Sequence, residues 1–272
     1  MCRTTVNECD LPEYCSGIKT ECTTDIIKEN GSPCNDDKAY CWDGICETHD
    51  RQCEAIFGSG TKSGDLSCYE EANSHTDRFG NCGFHDGSYV LCRPEHFRCG
   101  KIQCVHAMIA PGFVGNGTII YYTPKQTICK TIDFPRPFSV LHYDVAWVKD
   151  GTECGRDKLC VGHHCVSVRS IGAKCFPDVH CNGKGVCNSN GHCHCDIGWS
   201  PPNCDSKGEG GSIDSARTAI SDADSVFIEE EEFSAGVSSH HVLSHLIMSP
   251  CYFLQSWSCC LHAAFSSPGP AA

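Results

Sequence analysis

The sequence contains few of the residues that build hydrophobic cores. Leucine, isoleucine, valine and phenylalanine make up 53 of its 272 residues, which is under one fifth. A chain this poor in large apolar side chains buries too little surface to offset its conformational entropy, and disorder is then the ordinary expectation. Some other source of stability is therefore needed if the chain folds.

Basic residues are scarce as well. The chain has 21 lysines and arginines against 34 aspartates and glutamates, which gives a formal net charge of −13. Nucleic acids and anionic membrane surfaces attract basic proteins. We therefore expect neither as a partner.

Long apolar segments are also missing. No apolar stretch follows Met1, so no signal peptide is recognisable and we expect a fragment. A membrane span needs ~20 consecutive, predominantly apolar residues. Residues 242–265 come nearest, but four residues interrupt them, namely His245, Pro250, Gln255 and His262. We expect no span there, and we interpret this tail as an alternative carboxyl terminus or a mis-joined reading frame.

The catalytic motif of zinc proteases is absent. That motif requires two histidines one helical turn apart with a glutamate base between them. His241 and His245 have the spacing, but no glutamate lies between them. We expect neither zinc nor catalysis in this chain.

Cysteine is what the chain has in quantity. There are 26 cysteines, close to one residue in ten, which is typical of secreted disulfide scaffolds. Each disulfide contributes ~2–4 kcal/mol, mostly by restricting the unfolded chain. We expect small disulfide-rich modules, mostly irregular with short β-strands. The cysteines are dense from Cys2 to Cys204 and then stop until Cys251, which marks the clearest boundary.

Local patterns predict few regular elements. The best helix candidate begins near Thr48 and runs through Phe57. Residues 117–122 predict a short strand, and Asn116-Gly117 before it is a candidate hairpin turn.

Six cysteines near the end of the dense region resemble an EGF-like module. They are Cys175, Cys181, Cys187, Cys193, Cys195 and Cys204, with one residue between the fourth and fifth. Spacing alone leaves 15 connectivities open. The resemblance implies the pairs Cys175–Cys187, Cys181–Cys193 and Cys195–Cys204. Residues 170–174 lack an acidic cluster, so we expect no calcium in this module. A metal site on residues 192–195 is the alternative, but zinc sites favour wider cysteine spacing.

The chain as a whole resembles the ADAM (disintegrin-and-metalloprotease) family, in its meltrin-like branch. Residues 2–15 read CRTTVNECDLPEYC, which is similar to the disintegrin loop of that family. Further similar motifs are AYCWDGIC at 39–46, FGNCG at 79–83, CGKIQC at 99–104, GTECG at 151–155 and GGSIDS at 210–215. The resemblance covers residues 2 to about 215.

The resemblance implies four regions. Residues 1–33 would be the end of a disintegrin domain, 34–168 the cysteine-rich domain and 169–205 the EGF-like module. Residues 206–272 would be a flexible linker followed by a disordered acidic tail.

The implied function is non-catalytic adhesion or recognition at the cell surface or outside the cell. Integrins, proteoglycans or protease substrates would be the partners. Two alternatives stay open. The chain could be the back portion of an active zinc metalloendopeptidase, a sheddase, or it could be a soluble EGF-like ligand.

The resemblance also assigns disulfides and an unpaired cysteine. It implies Cys2–Cys22 and Cys9–Cys41, so Glu8-Cys9-Asp10 would not act as a free integrin-binding tripeptide. It implies as well that Cys15 pairs with a residue before Met1. We therefore expect a free thiol or an intermolecular disulfide at Cys15.

A structural calcium site is implied beside this loop. The carboxylates of Asp10, Glu13 and Asp25 and the backbone carbonyls of Leu11 and Ile26 match the family's ligand positions. Calcium binds six to eight oxygens at about 2.3–2.6 Å. The alternative is three surface acids that bind no metal.

Further candidates concern surface recognition and modification. The family varies most over residues 105–144, where partner contact is expected; the candidate binding residues are Ile109, Phe113, Ile119 and Tyr121. The alternative is that these side chains form the small core of the domain. Asn30 and Asn116 lie in N-glycosylation sequons, although Pro33 weakens the first.

Overall fold

The computed structural model describes residues 2–14, 22, 24–106, 117–134 and 145–215. Short antiparallel strands in several small sheets dominate this part of the chain, as the disulfide-rich composition predicts. The helices are α1 (His49–Phe57), α2 (Leu66–Asn73) and α3 (Pro177–His180), with 3₁₀ turns at Pro94–Cys99 and Val168–Ser170.

Three strands form the first sheet. They are β1 (Pro33–Cys34), β2 (Ala39–Trp42) and β3 (Ile45–Glu47), in sequence order. Asp43 and Gly44 both have positive φ and make the tight turn between β2 and β3. The sheet is too small to bury a core by itself, and Cys34–Cys46 cross-links its two outer strands.

A four-stranded sheet holds the centre of the cysteine-rich region. Its strands are β4 (Lys62–Ser63), β7 (Cys104–Val105), β8 (Thr118–Tyr122) and β9 (Cys129–Asp133), in the order β4-β7-β9-β8. The strand predicted at residues 117–122 is present as β8. Strands β8 and β9 form a hairpin whose register pairs Tyr121 with Lys130 and Tyr122 with Cys129. Strand β8 is thus an outer strand of this sheet.

Helix α1 begins and ends as the sequence predicts. The Thr48 hydroxyl accepts a hydrogen bond of 3.0 Å from the Arg51 amide, which caps the first turn. The helix ends at Gly58, which has a φ of +94°. Its buried face presents Cys53, Ile56 and Phe57 to the sheet.

Two buried amides join the helices to irregular backbone. Gln52 of α1 donates to the carbonyls of Val145 and Trp147 at 2.9 and 2.5 Å. Asn73 of α2 donates to the carbonyls of Phe97 and Lys101 at 2.7 and 3.0 Å. These side chains satisfy backbone groups that have no strand partner there, so loops can be buried without a large sheet.

The remaining strands lie in hairpins. Strands β5 (Phe84–His85) and β6 (Ser88–Tyr89) pair, and β10 (Glu153–Gly155), β11 (Lys158–Val161) and β12 (His164–Ser167) form a three-stranded sheet. Strands β13 (Gly185–Cys187) and β14 (Cys193–Cys195) pair, as do β15 (Gly198–Ser200) and β16 (Ser206–Gly208).

Residues 206–212 are not the flexible linker that their glycine-rich sequence predicts. Strand β16 pairs with β15, and Gly211 exchanges backbone hydrogen bonds of 2.8 and 2.9 Å with Cys195. Gly210 and Gly211 both have a φ of +86°, which only glycine adopts readily. The glycines therefore shape a defined turn, and the ordered chain extends at least to residue 215. Residues 216–272, the expected acidic tail, lie outside the described residues, as does the apolar stretch 242–265.

None of the helices in the described ranges is both long enough and apolar enough to cross a bilayer.

Candidate functional site

The disintegrin-like loop is fixed at two of its three cysteines, Cys2 and Cys9. Disulfide bonds join Cys2 to Cys22 and Cys9 to Cys41, with Cα–Cα distances of 5.8 and 5.5 Å. These are the pairs that the resemblance implies. Cys9 is fully buried in a cluster with Cys34, Ala39 and Cys41.

The tripeptide inside this loop is accordingly covered. Asp10, its last residue, is 5% exposed. Glu8, its first residue, is exposed but accepts a hydrogen bond of 2.8 Å from the Asn35 amide. Glu8-Cys9-Asp10 is therefore not a free, flexible tripeptide.

Beside the loop, one arginine contacts all three expected calcium-binding carboxylates. The Arg3 guanidinium lies 2.6 Å from an Asp10 oxygen, 2.7 Å from Glu13 Oε1 and 3.4 Å from Asp25 Oδ1. The Leu11 carbonyl is 3.5 Å from the same guanidinium, and the Ile26 carbonyl accepts the Leu11 amide at 3.2 Å. The structure thus places Asp10, Leu11, Glu13 and Asp25 around a cation that the chain itself supplies. Ile26 contacts Leu11 and Glu13 through its backbone.

The carboxylates in this cluster differ in exposure. Asp25 is largely exposed, whereas Glu13 is fully buried. Glu13 Oε1 also accepts the Ile26 amide at 3.2 Å, but its Oε2 is buried without a hydrogen-bond partner in the described chain. Burial would raise the pKa of Asp10, but hydrogen bonds from Arg3 and from the Val6 amide outweigh it and hold that pKa below its ordinary value.

The candidate binding residues on β8 have opposite environments. Ile119 is half-buried and packs against the main core, whereas Tyr121 is 63% exposed. Tyr122 faces inward, and its hydroxyl donates to the Cys68 carbonyl or to Gln103 Oε1. The core alternative therefore describes Ile119, and the surface alternative describes Tyr121.

A second large apolar side chain is exposed next to Tyr121. Ile128 immediately precedes β9 and is 64% exposed. Because Tyr121 pairs with Lys130, Ile128 lies diagonally across the hairpin on the same face of the sheet. We call this pair the hairpin surface. Ile109 and Phe113, the other candidates, lie outside the described residues.

The EGF-like cysteines form three disulfides among themselves. The bonds are Cys175–Cys187, Cys181–Cys193 and Cys195–Cys204, which are the pairs that the resemblance implies. Trp199 packs against this cluster. Its ring lies between Lys184 and Lys207, whose ammonium groups are 3.4 and 4.0 Å from the ring centroid.

Comparisons with known proteins agree with these features. The family model described as ADAM cysteine-rich matches residues 30–143. Human disintegrin and metalloproteinase domain-containing protein 9 is 43% identical over 218 residues, which are 80% of this chain and 26% of that protein. The chain belongs to the ADAM family.

Other ADAM relatives match over nearly the same share of the chain. Disintegrin and metalloproteinase domain-containing protein 2 of Macaca fascicularis is 38% identical over 79% of this chain and 29% of its own length. Human disintegrin and metalloproteinase domain-containing protein 32 is 39% identical over 76% of this chain and 26% of its own length. The chain spans about a quarter of the length of these ADAM proteins.

The cysteines of the described ADAM region are fully paired. Eleven disulfides use all 22 cysteines that the structure describes. No cysteine within these ranges therefore remains to pair with Cys15, which itself lies outside them. The expected free or intermolecular thiol at Cys15 stays a prediction.

Of the two sequon asparagines, the structure describes only Asn30. The Asn30 side chain donates to Asp43 Oδ1 at 3.2 Å and accepts the Asp43 amide at 2.8 Å, so it also stabilises the β2–β3 turn. Asn116 lies outside the described residues. Glycosylation at either asparagine stays a prediction.

Sequence reasoning missed Arg3. A cation seven residues before Asp10 and ten before Glu13 was the available signal, and an antiparallel backbone bridge between Arg3 and Glu13 brings these side chains together.

Proposed function

We propose that this chain is an adhesion or recognition module that acts outside the cell or at its surface, and that it binds a protein partner through the hairpin surface. The supporting observation is the exposure of Tyr121, on the outer strand β8, and of Ile128, diagonally across the hairpin just before β9, at 63% and 64%. Neighbouring exposed apolar side chains favour partner binding, and tyrosine is enriched at energetic centres of interfaces.

A disulfide bond and a hydrogen bond of Tyr122 hold the scaffold under this surface. The Cys68–Cys129 disulfide anchors β9 beside Tyr122, and burial raises the pKa of the hydrogen-bonded Tyr122 hydroxyl. A partner would therefore meet a preorganised hairpin and would pay little ordering entropy. Integrins, proteoglycans and protease substrates are the partner classes that the family suggests.

A cell-adhesion assay on the oxidised fragment, with a panel of integrins, tests this proposal. Tyr121→Ser and Ile128→Ser should each weaken adhesion about tenfold, as expected for the loss of an interface centre. The matched control is Ile197→Ser, because Ile197 is 86% exposed but lies in the EGF-like module.

The assay also separates the alternatives. Unchanged adhesion in both hairpin variants would overturn the proposal. Loss of adhesion in Ile197→Ser alone would favour an EGF-like ligand instead. A zinc metalloendopeptidase activity of a longer protein is a separate proposal, which peptide cleavage by that longer protein would test.

We also propose a structural calcium ion at the Arg3 cluster. Asp10, Glu13 and Asp25, with the Leu11 and Ile26 carbonyls, would hold it, and the donor set is all oxygen, as calcium prefers. The buried Glu13 Oε2 without a hydrogen-bond partner supports this fit. The ion would have to displace the Arg3 guanidinium, which contacts the same carboxylates.

Calorimetry with calcium tests that competition. Asp10→Asn should abolish the binding heat, whereas Arg3→Gln should strengthen binding because it removes the competing cation. Glu95→Gln, an exposed carboxylate far along the chain, is the charge-matched control. Absence of heat in both the parent protein and Arg3→Gln would overturn the calcium proposal, because the carboxylates would then bind no calcium even without the competing cation.

A further inference from the structure

A second feature of the molecule lies away from the hairpin surface and the Arg3 cluster. A cleft of about 440 Å³ separates the first sheet from residues 147–150 and from the turn at residues 162–163. Trp42 and Trp147 both line it, together with acidic residues and one lysine. The chain has four tryptophans, and two of them line this one cleft. Neither ring belongs to the main core.

Both indoles are held in place. Trp147 Nε1 donates to Asn81 Oδ1 at 2.8 Å, and the Trp147 ring lies 4.8 Å from the His163 ring. Trp42 packs against Gly151, which has a φ of +85° and where any Cβ would collide with the Trp42 side chain. The walls of the cleft are therefore preformed.

The cleft also contains a buried carboxylate that is only half satisfied. Glu47, at the end of β3, is 5% exposed. Its Oε1 lies 3.4 Å from Lys149 Nζ, but its Oε2 is buried and accepts no hydrogen bond from the described residues. An unpaired buried carboxylate oxygen costs free energy, which a donor entering the cleft would recover.

The negative charge of the residues that line the cleft favours a cationic ligand. Asp43 and Asp150 line the same cleft, so three carboxylates face the single ammonium of Lys149. The Asp150 carboxylate accepts the Gly162 amide at 2.8 Å, and the Asp43 carboxylate accepts the Asn30 side chain at 3.2 Å. Neither contact neutralises the negative charge.

We propose that this cleft binds an arginine side chain of a partner protein. A guanidinium is planar and weakly hydrated, stacks on indole faces and donates two parallel hydrogen bonds to a carboxylate. Trp42 and Trp147 supply the faces, and Glu47 supplies the acceptor. A lysine ammonium is more strongly hydrated and lacks the planar fork, so it would bind less well.

Titration of the ¹⁵N-labelled, oxidised protein with N-acetyl-arginine amide tests this site by NMR. The indole N–H resonances of Trp42 and Trp147 should shift together, while that of Trp199 in the EGF-like module should stay in place. The citrulline analogue has nearly the same shape without the charge, and it should shift neither indole. The lysine analogue should bind more weakly than the arginine one.

Variants identify the acceptor. Glu47→Gln should weaken arginine binding about tenfold, because it removes a charge-assisted hydrogen bond. Glu70→Gln removes an exposed carboxylate elsewhere and should leave binding unchanged. If Glu47→Gln does not fold, Asp43→Asn decides, since asparagine tolerates the positive φ at that position; it should weaken binding about twofold.

Three results would overturn the proposal. They are absence of indole shifts with the arginine amide, equal shifts with the citrulline analogue, and unchanged binding in the folded acidic variants.

Discussion

The cysteine-rich region and residues 169–205, the predicted EGF-like module, are stabilised in different ways. The main cluster of the cysteine-rich region contains true core side chains, among them Ile56, Phe57, Tyr69, Ile102 and Ile132, together with its disulfides. The buried cluster of the EGF-like module consists of its six cysteines, with only Trp199 packed against it.

The difference shows how a chain with so few apolar residues can fold. Where two helices and a four-stranded sheet meet, enough apolar surface is buried for packing to matter. In residues 169–205, which form only short hairpins, covalent links replace packing, as is usual for domains too small to build a core. The same substitution should therefore have different consequences in the two regions.

Phe57→Ala should have the largest effect of the changes considered. Phe57 is 2% exposed, and Lys130 Nζ lies 4.7 Å from its ring centroid. Removing the ring should cost about 3–5 kcal/mol of unfolding free energy, because a cavity is left in the core. Urea unfolding with intact disulfides measures this.

The matched substitution lies in the other region. Phe176→Ala removes a ring that is 49% exposed in the EGF-like module, so the cost should stay within about 0.5 kcal/mol. Equal costs for the two variants would mean that the regions do not differ in their reliance on apolar packing.

Acid should weaken the cysteine-rich core through His49. This imidazole is buried, and its Nε2 lies 2.9 Å from the Arg98 carbonyl. Burial, helped by the nearby Arg98 charge, lowers the pKa of His49 to about 3. The unfolded chain, with an ordinary histidine pKa near 6.5, takes up the proton first as the pH falls.

The stability that the neutral imidazole contributes is therefore complete above about pH 6.5 and is lost progressively toward pH 3. Between pH 6.5 and 4 the loss should be roughly 3 kcal/mol. Urea midpoints across this range should show the loss, and His49→Gln should flatten it. His180→Gln, at an exposed histidine, should leave the pH dependence as steep as in the parent. If the urea midpoint of His49→Gln falls with pH as steeply as that of the parent protein, His49 is not the cause of the acid sensitivity.

Removing one disulfide from each region tests how far that region depends on its covalent links. Cys181→Ser with Cys193→Ser opens a link of sequence separation 12, and Cys82→Ser with Cys92→Ser opens one of separation 10. The loops are similar, so each loss should cost about 2–4 kcal/mol through the unfolded state.

The structural outcomes should differ. The EGF-like module has no apolar core to fall back on, so its amides should lose hydrogen-exchange protection in the first variant. In the second variant, Ile102 and Ile132 should keep theirs. If the amides of β13 and β14 stay protected from hydrogen exchange without the Cys181–Cys193 bond, the module does not depend on that disulfide for its structure, and the proposed difference between the two regions is wrong.

The sequence predicts these regions unequally well. Thr48 and the apolar residues after it mark α1, because a cap and a helical face are local signals. Helix α2 was not predicted, since its eight residues leave little periodicity. Ile119 and Tyr121 point to the same face of β8, so their different exposure depends on how far the distant chain covers that face.

Residues 206–215 show a further limit. Glycine and serine are typical of flexible linkers, and composition alone cannot distinguish a linker from a turn that needs positive φ. The partners of this segment, Cys195 and the Tyr14 amide, are far away in sequence or in another module. Arg3 was missed for the same reason, because its role depends on three separate segments meeting.

A smaller, local effect is expected in this same ordered segment. Asp214 accepts a hydrogen bond of 2.6 Å from the buried Asn188 and lies 2.9 Å from His192 Nδ1. Burial would raise the pKa of Asp214, but the hydrogen bonds from His192 and Asn188 outweigh it, so the pKa lies below its ordinary value. The stabilisation is thus present above about pH 4, near the unfolded pKa, and is lost as the pH falls through the lower, folded pKa.

Asp214→Ala should release this segment without unfolding the module, at a local cost of about 1–2 kcal/mol. The Tyr14 amide donates to the Ser215 carbonyl at 3.2 Å, so faster hydrogen exchange at Tyr14 would report the release at neutral pH, and the same change should appear in the parent protein only under strong acid. Asp205→Ala, at an exposed aspartate outside this contact, should leave Tyr14 exchange unchanged. If exchange at Tyr14 stays slow in Asp214→Ala, the backbone hydrogen bonds between Gly211 and Cys195 are enough to hold the segment. The Asp214 side chain would then not be needed to order residues 206–215.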